Sequence, residues 1–161
     1  MSKKVTEASP RSSSSRHPFS EPEQNPGFLI WQVSMVWQRK LKTGLDMIGV
    51  THAQFLLLAA LQFLGTQKNI VSQQDLARHC RIDKMMTSKI LRTLQKKGLL
   101  TRKKNKMDTR AKTLTLSEEG EVTLGKALKI TDKVDGDFLI TLGLNSFSFQ
   151  DDLRSLLKVN G

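Results

Sequence analysis

Ser72–Lys103 reads SQQDLARHCRIDKMMTSKILRTLQKKGLLTRK, and this stretch decides the fold. Ser72 with Asp75 three residues on is a capping-box signature, so a short helix is expected over Leu76–Ile82. Asp83 suits the N-cap of a second helix, in which Met86, Ile90, Leu91 and Leu94 recur at the spacing of one inward face. Gly98 supplies a left-handed cap at its end. Two short helices joined by a brief turn and followed closely by Leu100–Lys103 point to a helix-turn-helix running into a strand.

Downstream, Leu100–Lys103 and Lys112–Leu116 read as strands, and the polar, basic Lys104–Ala111 between them reads as a hairpin tip. Ser117 caps a long helix that turns Val122, Leu124, Leu128, Val134, Phe138 and Leu142 inward. Gly143–Asn145 breaks the chain, and a last helix carries Phe149, Leu153, Leu156 and Leu157 on one face. Upstream, Thr51 and Gln54 form another capping box. Phe55–Leu64 is almost wholly apolar, as expected of the buried centre of the domain, with Gly65 ending the helix. Ile70–Val71 is expected to add a short strand. Earlier still, Ile30, Val33, Trp37, Leu41, Leu45 and Ile48 mark one helical face, which Phe28, Leu29, Trp31, Met35 and Val36 widen. A helix this apolar on several sides suits packing against another chain. Residues 1–26, rich in Ser, Pro and charge, read as a disordered tail. There is no internal repeat.

The fold class expected is therefore mainly α: a winged helix-turn-helix over 51–117 with a small β-hairpin wing. Helices in 27–50 and 118–161 flank it as a dimerisation region. Charge then points to function. The chain carries a formal net charge of +11. Between Arg78 and Lys112 lie thirteen basic residues and only two acidic ones, Asp83 and Asp108, so this segment holds the whole excess. A basic helix and hairpin adjoining one another suit a polyanion: a helix fits the major groove of duplex DNA, and a hairpin reaches phosphates or the minor groove.

THAQFLLLAAL (51–61), the Ser72–Lys103 stretch and MDTRAKTLTLSEEG (107–120) together resemble the central part of the MarR family of transcriptional regulators. The last stretch holds the Asp-x-Arg pair of the wing, Asp108 and Arg110, followed by a Leu-Thr-Leu-Ser-x-x-Gly run. The resemblance is close over about 70 residues and covers the flanking helices only in layout. It implies a homodimer on a palindromic duplex site, most often a repressor, with Arg110 reaching DNA from the wing and Asp108 holding it. Recognition-helix contacts are expected at Lys84, Met85, Ser88, Lys89 and Arg92, and wing contacts at Arg102, Lys104, Lys106, Asp108 and Arg110. Dimer contacts are expected at Phe28, Trp31, Leu142, Phe149, Leu153 and Leu156. Lys89 stands where the family more often has Arg, and a lysine cannot make the same two-pronged contact with guanine. The family layout also admits a small-molecule effector, which nothing in the sequence identifies. The rival readings are a sequence-tolerant architectural or RNA-binding module using the same basic surface, and a winged-helix protein-interaction domain.

Other chemistry finds little footing. There is no glycine-rich phosphate loop, no pair of histidines at metal spacing and no Ser-His-Asp arrangement, so neither an enzyme nor a cofactor is expected. His52 and His79 lack neighbouring ligands, no metal site is expected, and both histidines read as surface or capping residues. Cys80, the only cysteine, invites a redox-sensor reading, but it sits at a normally buried apolar position and reads rather as inert; a chain without disulfides suits a reducing cytoplasm. Trp31 and Trp37 read as dimer core rather than as the lining of a ligand pocket, and the acidic residues of 118–137 as a solvated helix face. No apolar run reaches the roughly 18–20 residues of a membrane span.

Overall fold

The computed structural model describes residues 22–104, 112–143 and 145–160. The tail expected over 1–26 falls almost wholly outside them, as does most of the hairpin tip. Six α-helices are present among the described residues: α1 (Pro26–Asp46), α2 (His52–Gln67), α3 (Gln73–Cys80), α4 (Lys84–Lys96), α5 (Glu118–Leu139) and α6 (Asn145–Asn160). Between α4 and α5 lie β1 (Leu100–Lys104) and β2 (Lys112–Leu116), antiparallel in a register running from Leu100 opposite Leu116 to Lys104 opposite Lys112. Two compact units divide the chain between Val36 and Trp37.

In the first unit, Asn25 caps the start of α1 by accepting the Phe28 N–H at 2.9 Å, and the Phe28 and Trp31 rings lie 5.8 Å apart. Leu29, Ile30, Trp31, Val33, Met35 and Val36 are all exposed.

The second unit is built on one core. Leu41 and Leu45 of α1, Leu57, Leu58 and Leu61 of α2, and Leu76 of α3 meet Leu91 and Leu94 of α4. Leu100, Leu114, Leu124 and Ala127 complete it from the wing and α5. Each fully buried leucine contributes about 1.5–3 kcal/mol by leaving water, so these positions dominate the fold's stability. Local signals set the helix starts as the sequence indicates. Thr51 with Gln54 and Ser72 with Asp75 both form complete capping boxes. Asp83 accepts the Met86 N–H at 2.8 Å, and Ser117 accepts the Gly120 N–H at 3.0 Å. Gly98, at φ 72°, turns the chain out of α4.

Several expectations change. Gly65 does not end α2, which continues to Gln67 and closes where the Lys68 N–H bonds the Leu64 carbonyl; a lone glycine lowers helix propensity without supplying a stop. Residues 70–71 form no strand, because their pairing with β2 is one bond, Leu114 N–H to the Val71 carbonyl at 3.0 Å. In α4, Thr87 is fully buried whereas Met86 is 49% exposed. In α5, Thr123, Leu124 and Ala127 face the core while Val122 and Leu128 are exposed. Gly120 has a steric reason: a Cβ there would stand 1.9 Å from the Leu99 carbonyl oxygen, since α5 begins hard against the chain leaving α4.

Candidate nucleic-acid interface

Three residues, 81–83, separate α3 from α4. Arg81 takes the left-handed conformation (φ 53°) and ends α3, its N–H returning to the Ala77 and Arg78 carbonyls. Asp83 then starts α4 in a new direction. With Thr87, Leu91 and Leu94 buried, successive residues turned by about 100° set the opposite face of α4. Met85, Lys89, Arg92 and Lys96 lie there, and all four are exposed. Met85 reaches 77% exposure. Ser88 lies on the flank, half-buried, and Lys84 is exposed in the first turn. No carboxylate among the described residues forms an ion pair with Lys84, Lys89, Arg92 or Lys96.

On the wing, Arg102 is half-buried. Burial, and then the neighbouring charge of Arg92, push its pKa below the ordinary arginine value. Lys104 belongs to β1, but its side chain, like Lys106, Asp108 and Arg110, lies outside the described residues.

The sequence places the excess cations on one helix and one hairpin, and the structure removes three of them. Arg78 belongs to α3 and Arg81 to the turn. Lys97 points away from the exposed face of α4: its Nζ donates to the Gly49 carbonyl at 2.6 Å and to Gln54 Oε1 at 3.1 Å, which ties the end of α4 to the start of α2. Lys96 was not singled out by the sequence reading, although its spacing of seven from Lys89 was the available signal.

Of the expected dimer contacts, Trp31, Leu153 and Leu156 are exposed, and Phe28, Leu142 and Phe149 are half-buried. Trp37, half-buried, also makes contacts within its own chain. Its Nε1 donates to Asp135 Oδ1 at 2.7 Å, and its ring meets His52 edge-on at 5.1 Å. Asp135 is therefore not part of a purely solvated face, and His52 is half-buried. The His52 Nε2 is enclosed without a partner, and burial pushes its pKa down while the Asp135 charge pulls it up. His79 is exposed, its ring 5.3 Å from Phe63. The Cys80 thiol points at the Leu56 carbonyl, 3.6 Å away, and burial raises its pKa, which disfavours the reactive thiolate. No cluster of metal ligands occurs among the described residues, and none of their helices is long and apolar enough to cross a membrane.

A helix-turn-helix whose second helix exposes an unpaired basic face, followed by a two-stranded hairpin, defines a winged helix-turn-helix protein. Residues 50–112 match the model of the MarR family. Over 140 residues the chain is 38% identical to the HTH-type transcriptional regulator YdcH of Bacillus subtilis, an alignment covering 87% of this chain and 95% of that protein. The chain belongs to the MarR family of transcriptional regulators. It is also 25% identical to the HTH-type transcriptional repressor Rv2887 of Mycobacterium tuberculosis, across 72% of this chain and 81% of that one. A solved structure of Rv2887, in complex with salicylic acid, matches with a TM-score of 0.64, covering 81% of this chain and 95% of that one at 24% identity. The Staphylococcus aureus MepR–DNA complex matches with a TM-score of 0.75 at 22% identity, covering 83% of this chain and 97% of that one.

Proposed function

We propose that this MarR-family regulator is a homodimeric repressor that reads a palindromic duplex site. The helix of residues 83–97 enters the major groove, and the wing of 100–116 lies on the flanking groove and backbone. The observation that carries this reading is the face of α4 where Met85, Lys89 and Arg92 stand exposed, opposite Thr87, Leu91 and Leu94. Cations without carboxylate partners suit phosphates, and an exposed methionine suits the apolar and base-edge surface of the major groove. Lys84 and Ser88 flank that face, and Lys104, Lys106, Asp108 and Arg110 extend the contact along the wing, with Arg110 reaching DNA and Asp108 holding it.

Dimerisation belongs to the segments 27–50 and 118–161. Trp31 and its neighbours in α1, and Leu153 and Leu156 in α6, expose large apolar side chains, and each such group, already partly covered, gains on the order of 1 kcal/mol when a second copy covers the rest. Two recognition helices held about 34 Å apart then read successive major grooves. A small aromatic acid that favours another spacing of the two reading heads releases the DNA in proportion to its preference for that arrangement. The repressor name of Rv2887 and its salicylic acid complex support this part of the reading.

Selection of bound duplexes from a random pool tests the proposal, alongside sedimentation of the free protein. The expected outcome is a dimer and two inverted half-sites, preferred over random duplex by about a thousandfold or more. Steep salt dependence without site preference would instead assign a sequence-tolerant architectural or RNA-binding module. Titration with salicylate, expected to weaken operator binding, tests the effector response; unchanged affinity with a panel of such acids overturns it.

A further inference from the structure

Helix α4 carries four cations and no acid, yet its leading end is apolar. Met85 and Met86, the second and third residues of the helix, are 77% and 49% exposed. They do not stand alone. With the half-buried Ile90 they line a groove of about 900 Å³ along α4, which Gln54 of α2 borders and whose walls are more apolar than polar. Lys89, Arg92 and Lys96 line the same groove. A single exposed methionine needs no explanation, but a continuous apolar strip set among cations does. The first turn that carries both methionines is held by the N-cap, where Asp83 accepts the Met86 N–H at 2.8 Å.

In the reading proposed above, on which this inference rests, α4 enters the major groove, and residues near the start of such a helix are the ones that reach base edges. Those edges present acceptors on guanine, adenine and thymine, amino donors on adenine and cytosine, and one apolar group, the C5 methyl of thymine. Met85, Lys89, Arg92 and Lys96 form the exposed face of α4. That face holds donors and one apolar side chain. It has no carboxylate to accept from the cytosine amino group and no side-chain amide to pair with adenine. We propose that Met85 is a specificity-determining residue, packing its side chain on the C5 methyl of one thymine in each half-site. Met86 and Ile90 continue the apolar surface along the groove beside it. The flexible, polarizable thioether of methionine adapts to such a small apolar target. Uracil, the RNA counterpart of thymine, offers no methyl to this contact.

The experiment replaces each thymine of the selected duplex in turn by uracil, which keeps the base pair and removes only the methyl. Wild type, Met85→Ala, Met85→Leu and Met86→Ala are titrated against every duplex. One thymine position per half-site is expected to stand out, where uracil weakens wild type by about fourfold, the worth of one buried methyl. Met85→Ala is expected to be indifferent to uracil at that position, and to bind the thymine duplex no more tightly than wild type binds the duplex with uracil in both half-sites. Met85→Leu, still apolar, is expected to keep most of the discrimination, and Met86→Ala to keep it too. All variants are expected to hold the wild-type salt slope, because no phosphate contact is lost. Site-selective binding with no thymine whose methyl matters overturns the methyl contact and leaves the DNA-binding reading in place. A uracil penalty that persists undiminished in Met85→Ala, or that disappears only in Met86→Ala, gives the contact to another residue and overturns the assignment of Met85. A wild-type chain that binds no duplex overturns the underlying reading and the contact together.

Discussion

Helices α3 and α4 are both short, both start at a side-chain cap, and lie only three residues apart, yet they handle charge in opposite ways. The one acid of α3, Asp75, is bound within the chain. It accepts from the Ser72 N–H and Oγ at 2.8 and 2.6 Å and pairs with Lys68 at 2.6 Å. Burial alone would raise its pKa, but Lys68 and Ser72 prevail and hold it down to about 2. In α4 there is no acid at all between Lys84 and Lys96, and its cations meet no carboxylate of the described chain. Charge paired inside the fold contributes to stability and responds to pH. Charge left over contributes little to the fold and is available to a partner.

The sharpest way to break this contrast is to reverse one of the unpaired charges. Lys89→Glu is expected to cut affinity for the selected duplex by about a hundredfold or more, by removing one phosphate contact and adding a repulsion. Its thermal midpoint is expected to stay within about 2 °C of wild type, because an exposed substitution away from caps and core changes stability little. Anisotropy titration and calorimetry check both halves. Lost stability with unchanged binding would invert the roles given to the two helices.

Asp75→Asn should behave in the opposite sense. It weakens the capping box and the Lys68 pair, at an expected cost of about 1–2 kcal/mol in stability near neutral pH. The affinity of the folded protein is expected to stay within about threefold of wild type. The folded carboxyl holds its proton less tightly than the unfolded one, whose ordinary pKa is 3.8. The stability it contributes is therefore fully present above that value and is lost as the pH falls toward 2. Urea denaturation at pH 7 and pH 3 is expected to show the wild-type advantage over Asp75→Asn shrinking at the lower pH. An equal gap at both would disconnect Asp75 from the pairing described.

The smallest effects come from two adjacent lysines. Lys96→Ala is expected to weaken duplex binding several-fold, with the salt slope reduced by up to one and stability unchanged. Lys97→Ala is expected to lower stability by about 1 kcal/mol through loss of its bonds to Gly49 and Gln54, with the salt slope unmoved. Interchanged results would show that the face of α4 has been assigned one residue out of phase.

That pair also shows what sequence alone can convey. Helix starts were legible because each cap is local: Ser72, Asp83 and Ser117 each accept from a backbone N–H three residues on. The exposed face of α4 was legible in outline because helical spacing places Met85, Lys89 and Arg92 together. Lys97 was not, since its acceptors lie 48 and 43 residues away and a lysine in a basic run looks like its neighbours. The bond between Trp37 and Asp135, 98 residues apart, was not legible for the same reason, nor was the enclosure of the His52 Nε2. The phase of α4 slipped at Thr87, a polar residue filling a core position that the apolar Met86 was expected to take.

Met85 and Met47 offer a direct comparison, because both are highly exposed, at 77% and 85%, while only Met85 lies on the face of α4. Brief hydroxyl-radical labelling with and without the selected duplex, read out by mass spectrometry, measures how accessible each sulfur is. Oxidation of Met85 should fall several-fold in the complex while that of Met47 stays constant. Equal oxidation of Met85 in free and bound protein, with the duplex demonstrably bound, would mean that DNA is held by some other surface.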